Sequence, residues 1–80
     1  MSSVTYQQIK MARAALGWSI QELSEKSLVS VRTIKRIESE NGLDTATPAN
    51  IRLIISTLEA AGIEFVGAPN EGPGVRLWQK

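Results

Sequence analysis

Cysteine and histidine are both absent from this 80-residue sequence. Their absence excludes disulfide frameworks, Cys/His zinc sites and any nucleophile activated by histidine. No Asp/Glu pair stands in a recognisable acid/base setting. A phosphate-binding glycine loop is missing too, because "GAPNEGPG" at residues 67–74 fits neither phosphate pattern and follows no strand-to-helix signal. An enzyme is therefore not expected, nor a cofactor. No apolar run is long enough to cross a bilayer. The N-terminal "MSSVTYQQIK" lacks the basic-then-apolar order of a secretory leader. A cytoplasmic chain with no membrane partner is the expectation.

What is present is a chain of one-domain size with an uneven charge distribution. Up to residue 36, six basic residues (Lys10, Arg13, Lys26, Arg32, Lys35, Arg36) against Glu22 and Glu25 leave a net charge of +4. From residue 37 onward, Arg52, Arg76 and Lys80 face six carboxylates, leaving −3. A polarised chain of this kind can offer one cationic surface to a polyanion while the rest stays neutral or acidic.

Apolar positions Ile9, Ala12 and Leu16 recur at helical spacing from Thr5 onward, and Gly17 stands where such a helix stops. Ser19 with Glu22 forms a capping box opening a short helix, Ile20 to about Lys26, with Leu23 inward. Trp18 is expected as a core residue between these two helices. Ser30 caps a further helix over 31–39 after a tight turn, and "ENGLD" reads as a loop. Thr47 followed by Pro48 is a strong helix start. The helix it opens carries an apolar stripe of Ile51, Ile54, Ile55 and Leu58 as far as Gly62. Leu53 lies off that stripe, either as a harmless exposed leucine or as a contact with the tail or a second subunit. Beyond Gly62 the period changes to two, in "IEFV" and "VRLW", with Ile63/Phe65 and Val75/Leu77 as the facing set.

Two short helices joined by a tight turn and flanked by longer ones make the frame of a helix-turn-helix unit. Projected at about 100° per residue, Val31, Ile34, Ile37 and Glu38 point inward together. Arg32 and Arg36 fall on the opposite face, flanked by Thr33 and Lys35. Arginine is well suited to guanine O6 and N7 in the major groove; a merely solvated charged face is the plainer alternative. Arg13 lies within the apolar stripe of the first helix and Glu38 in the inward sector of the third. Because a lone buried charge is prohibitive, an Arg13–Glu38 ion pair is expected.

"IKMARAALGWSIQELSEKSLVSVRTIKRIE" followed by "TPANIRLIISTLEAAG" resembles the DNA-binding domain of the Cro/phage-repressor (XRE-like) family, over about residues 5 to 62. The resemblance rests on a set: Arg13, Leu16-Gly17, Glu22-Leu23, Ser30, Ile34, Ile37-Glu38, Thr47-Pro48 and Leu58. It implies a mainly α fold, a lambda-repressor-like bundle of four to five helices, here followed by a short C-terminal β-hairpin or strand pair. It also implies sequence-specific binding of double-stranded operator DNA, as a homodimer on a pseudo-palindrome. Within the family pattern, Val31, Arg32 and Arg36 fall on positions that read bases, and Ser30 and Thr33 on positions near phosphate. Lys35 suits either role. The family often starts its second helix with a phosphate-reaching glutamine; Ile20 stands there, and Gln21 is the substitute. Leu28 occupies a turn position where the family favours glycine.

Residues 1–62 are thus expected as the helix-turn-helix domain and 63–80 as a β-strand tail. Those strands could fold back over the preceding helix, or pair with a second chain through Phe65, Leu77 and Trp78; dimerisation is the preferred reading. The rival to a transcriptional regulator is an antitoxin or adaptor module whose main partner is another protein, such as a toxin.

Overall fold

The computed structural model describes residues 4–78. Five helices come first, α1 (Tyr6–Leu16), α2 (Ile20–Ser27), α3 (Val31–Ile37), α4 (Gly42–Thr45) and α5 (Pro48–Ala60), then strands β1 (Ile63–Val66) and β2 (Gly74–Leu77). The fold is mainly helical with a short antiparallel sheet at its C-terminal end.

Local chemistry sets most boundaries. Thr5 and Gln8 form a capping box at the start of α1, and Ser19 and Glu22 form one at the start of α2, so backbone amides that lack helical partners are satisfied by side chains. Gly17 ends α1 in the left-handed conformation that glycine adopts without a Cβ penalty. Thr47 caps α5, with Pro48 in its first turn.

Two boundaries differ from the sequence reading. Helix α3 ends at Ile37, two residues short of Ser39, whose hydroxyl bonds the Arg36 carbonyl oxygen. The segment expected as a loop contains the helical turn α4. Asn41 turns the chain with φ 66°, and Gly42 then packs so closely on the Arg36 carbonyl that any Cβ would collide with it. That approach is a tertiary fact, invisible to local spacing.

The core is one cluster: Ile9 and Ala12 from α1, Leu23, Val29, Ile34 and Ile37 around the α2–α3 unit, Ile54 and Leu58 from α5, and Ile63 from β1. The strands pair in the register Ile63↔Leu77 and Phe65↔Val75, so these four side chains share the face turned to the core while Glu64 and Arg76 are exposed. The hairpin folds back onto α1. The buried Gln8 carboxamide donates to the carbonyl oxygens of Val66 and Gly74 at 2.9 and 2.8 Å and accepts from the Thr5 amide at 2.8 Å. Phe65 and Leu77 are therefore half-buried against their own chain, whereas Trp78 is exposed. Trp18 is half-buried beside the core, with the Lys26 ammonium 5.1 Å from its ring centroid.

Candidate nucleic-acid interface

Side-chain hydrogen bonds shape the turn that joins α2 to α3. The Ser24 hydroxyl donates to the Val29 carbonyl oxygen at 2.6 Å, and the Val29 amide donates to the Ser27 hydroxyl at 3.2 Å. Val29, itself buried, anchors the turn in the core. Leu28 takes the left-handed conformation, φ 65°, and its side chain is 86% exposed. The turn thus has the backbone shape that a glycine would provide, with a leucine in it. No helical or strand period singles out Ser24 and Ser27. The available signal was compositional, since short hydroxyl side chains near a helix end bond local backbone.

Helix α3 is fixed from beneath by a charged pair. Arg13 donates through Nε to Glu38 Oε2 and through a terminal nitrogen to Oε1, both at 2.9 Å, and through its other terminal nitrogen to the Trp18 carbonyl oxygen at 3.1 Å. One side chain thereby ties α1, the α1–α2 connection and the end of α3 together. The Glu38 side chain is 5% exposed and the Arg13 side chain 21%. Glu38 raises the Arg13 pKa, chiefly through this hydrogen bonding, so the guanidinium stays charged. Geometry of this bidentate kind sets direction as well as distance.

With Ile34 and Ile37 fully buried and Glu38 nearly so, the opposite side of α3 is presented outward. Arg32, Lys35 and Arg36 are exposed there, and none forms an ion pair among the described residues. Val31 and Thr33 are half-buried at the flanks. Ser30 is committed to the helix: its hydroxyl accepts from the Thr33 amide at 3.2 Å and donates to Thr33 Oγ1 at 2.9 Å. The Thr33 hydroxyl keeps its own proton for a further acceptor. Gln21, exposed on α2, donates to Glu25 Oε2 at 3.3 Å and retains a second amide proton. Arg32, Lys35 and Arg36 therefore form one cationic ridge, with Thr33 and Gln21 as neutral donors on α3 and α2. Phe65, Leu77 and Trp78 belong to the hairpin and are not part of it.

A cationic helix face with free guanidinium groups can pair with phosphates and with guanine edges. No cluster of metal-ligating side chains occurs among the described residues, and no helix of the structure is long and apolar enough to cross a membrane. Residues 9–61 match the family model described as Helix-turn-helix, a span that includes α2, α3 and most of the core. No curated protein sequence matches the chain.

Proposed function

The chain belongs to the Cro/repressor-like (XRE) helix-turn-helix family of DNA-binding regulators, and from that premise we propose that it reads a specific operator by laying α3 in the major groove. One observation carries this reading. Arg32 and Arg36 stand exposed, one helical turn apart, on the face opposite buried Ile34 and Ile37, and no carboxylate neutralises either among the described residues.

Each arginine can address guanine O6 and N7 with two parallel N–H donors, and Val31 offers an apolar contact of the kind thymine methyl groups accept. Lys35, the Thr33 hydroxyl and the Gln21 amide hold phosphates and so set the register of α3. Ser30 acts mainly by capping α3, which aims the helix amides and Thr33 at the backbone. A single unit of this size covers few base pairs. Useful specificity then calls for a homodimer on a pseudo-palindromic site, with half-sites about 10 bp apart.

The test is fluorescence anisotropy with duplex DNA from upstream of the chain's own gene and a scrambled duplex, across a salt series. The native duplex is expected to bind at least ~10³-fold more tightly. Arg32→Ala/Arg36→Ala is expected to lose that preference while keeping salt-dependent binding, because the phosphate contacts survive. Lys35→Ala should weaken both duplexes alike and lower the salt slope by about one. A double variant that retains full discrimination would remove the arginines from base reading.

A second reading, a module whose main partner is a protein such as a toxin, is favoured by the exposed end of β2. There Trp78 donates from its ring nitrogen to Glu64 at 2.8 Å and lies under the Arg76 guanidinium, 5.5 Å from the ring centroid. Tryptophan and arginine together are frequent anchors of protein interfaces.

A further inference from the structure

Asn41 and Gly42 are adjacent in the chain, and that pair has a reactivity of its own. An asparagine followed by glycine can close a five-membered ring, because glycine has no Cβ to hinder attack by its amide nitrogen. The other asparagines stand in poorer settings. Asn50 lies within α5 and precedes the β-branched Ile51, and Asn70 precedes Glu71. The Asn41 side chain is exposed, and its carboxamide makes no hydrogen bond among the described residues. Only water is needed as a co-reactant. The Gly42 nitrogen attacks Asn41 Cγ, the N–Cγ bond forms as Cγ–Nδ2 breaks, and Nδ2 leaves as ammonia with the proton that Gly42 lost. Water then opens the cyclic imide. Addition at Cγ gives aspartate. Addition at the backbone carbonyl gives isoaspartate, whose main chain runs through Cγ and is one methylene longer.

The fold opposes this chemistry. The Gly42 amide donates to the Ser39 carbonyl oxygen at 3.0 Å, and Gly42 is buried against the Arg36 carbonyl. Ring closure needs the Gly42 nitrogen eclipsed with the Asn41 Cβ, far from the native ψ of 4°. The 41–42 peptide must therefore rotate, which lifts Gly42 away from Arg36. Helix α4 is a single turn in which only Gly42 is buried. Such a segment opens locally more easily than the core does. Every product then disturbs the end of α3. The imide nitrogen carries no proton, so Ser39 loses its donor. Isoaspartate lengthens the chain at a point where Gly42 has no room to shift. Both acids add a negative charge beside the C-terminal end of α3, where helix carbonyls already concentrate negative potential. Arg36 belongs to that last turn.

We propose that Asn41–Gly42 is a site of spontaneous deamidation, whose products loosen the end of α3 and so end operator binding as the protein ages. The opening of α4 sets the rate. The loss of binding rests on the operator reading proposed above, whereas the modification and the loosening of α3 do not.

Ageing of the full chain at mildly alkaline pH, followed by mass spectrometry, tests the site. The chain is expected to gain the mass of an –NH2 to –OH exchange, placed at Asn41 by fragmentation, and to do so faster as hydroxide rises. Unfolded in guanidinium chloride, it should react at least about tenfold faster, because only the opened fraction of the folded protein is competent. The aged chain should show faster amide exchange in the last turn of α3 and bind its operator duplex at least ~tenfold more weakly than fresh chain. Asn41→Gly keeps a residue suited to φ 66° and removes the carboxamide. That variant should bind like the fresh wild-type chain and hold its affinity through the same ageing. The inference is overturned by a mass gain confined to Asn70, by an unfolded chain that reacts no faster than the folded one, or by a modified chain that binds like fresh chain. An Asn41→Gly chain that loses affinity at the wild-type rate overturns it equally. If fresh chain prefers no duplex while ageing still modifies Asn41 and loosens α3, the operator reading fails and the deamidation site stands.

Discussion

Gln8 and Gly74 lie 66 positions apart in the chain, and the Gln8 carboxamide donates to the Gly74 carbonyl oxygen at 2.8 Å. The same nitrogen donates to Val66 across the hairpin, and the carboxamide oxygen caps α1 at Thr5. At 1% exposure, Gln8 has every polar group of its side chain engaged within the protein. Its amide replaces the water that two strand-end carbonyls would otherwise require.

Gln8→Leu is therefore expected to cost about 2–4 kcal/mol, since it leaves two carbonyls without their donor and removes half of a capping box. Chemical denaturation gives the total. Amide exchange locates it: amides of β1 and β2 should exchange faster, while those of α3 change little. Uniform acceleration across all elements would mean that the hairpin and helices open only together.

The Arg13–Glu38 pair gives a prediction in which the double change costs less than the single one. Glu38→Ala leaves a largely buried guanidinium without its carboxylate and is expected to cost about 3–5 kcal/mol. Replacing both, as Arg13→Met/Glu38→Leu, removes two desolvated charges together and should cost much less than the single change. Thermal unfolding of Glu38→Ala, of Arg13→Met and Glu38→Leu singly, and of the double variant checks this. A double variant as unstable as the sum of its singles would show that the pair contributes no coupling.

Sequence patterns carried the helical frame because its signals are local. A capping box needs only Ser19 and Glu22, a helix start only Thr47 and Pro48, and an outward ridge only the period separating Arg32 and Arg36 from Ile34 and Ile37. The pairing of Arg13 with Glu38 was legible for a different reason, since the helical period turned both inward and either charge buried alone would be too costly. The missing parts depend on distant atoms. Gln8 reads as an ordinary polar residue of α1 until β1 and β2 arrive above it. The turn α4 exists because Gly42 can sit against Arg36. At the candidate site, the Ser30–Thr33 and Gln21–Glu25 hydrogen bonds are rotamer choices, and they change which of those residues is left free for phosphate.

Glu22 yields a pH dependence. Its carboxylate accepts from the Ser19 amide, and that bond, with the Ser19 hydroxyl, holds its pKa below the ordinary glutamate value. A depressed folded-state pKa stabilises the fold above the unfolded-state pKa and is lost as pH falls through the folded one. Stability should accordingly decline on acidification through and below the usual glutamate range. Glu22→Gln keeps a capping acceptor but cannot titrate. Its acid limb, followed by circular dichroism, should be shallower than that of the wild-type chain. Identical limbs would assign the acid sensitivity to other carboxylates.

Leu28 pairs a left-handed backbone with a side chain that has almost nothing to lose. The left-handed conformation costs an L-residue about 1–2 kcal/mol, and 86% exposure leaves little burial to offset it. Glycine removes the strain but adds freedom to the unfolded chain, which returns about 0.5–1 kcal/mol. The balance favours Leu28→Gly by up to about 1 kcal/mol, or about 4–8 °C in the melting temperature of a domain this size. The Ser24–Val29 and Ser27–Val29 bonds that hold the turn do not involve the Leu28 side chain, so the angle between α2 and α3 should persist. Operator affinity should then change less than twofold, an effect of a few tenths of a kcal/mol. A melting temperature that falls would mean that the leucine makes a stabilising contact despite its exposure. A rise accompanied by weaker binding would instead make the exposed leucine part of the recognition surface.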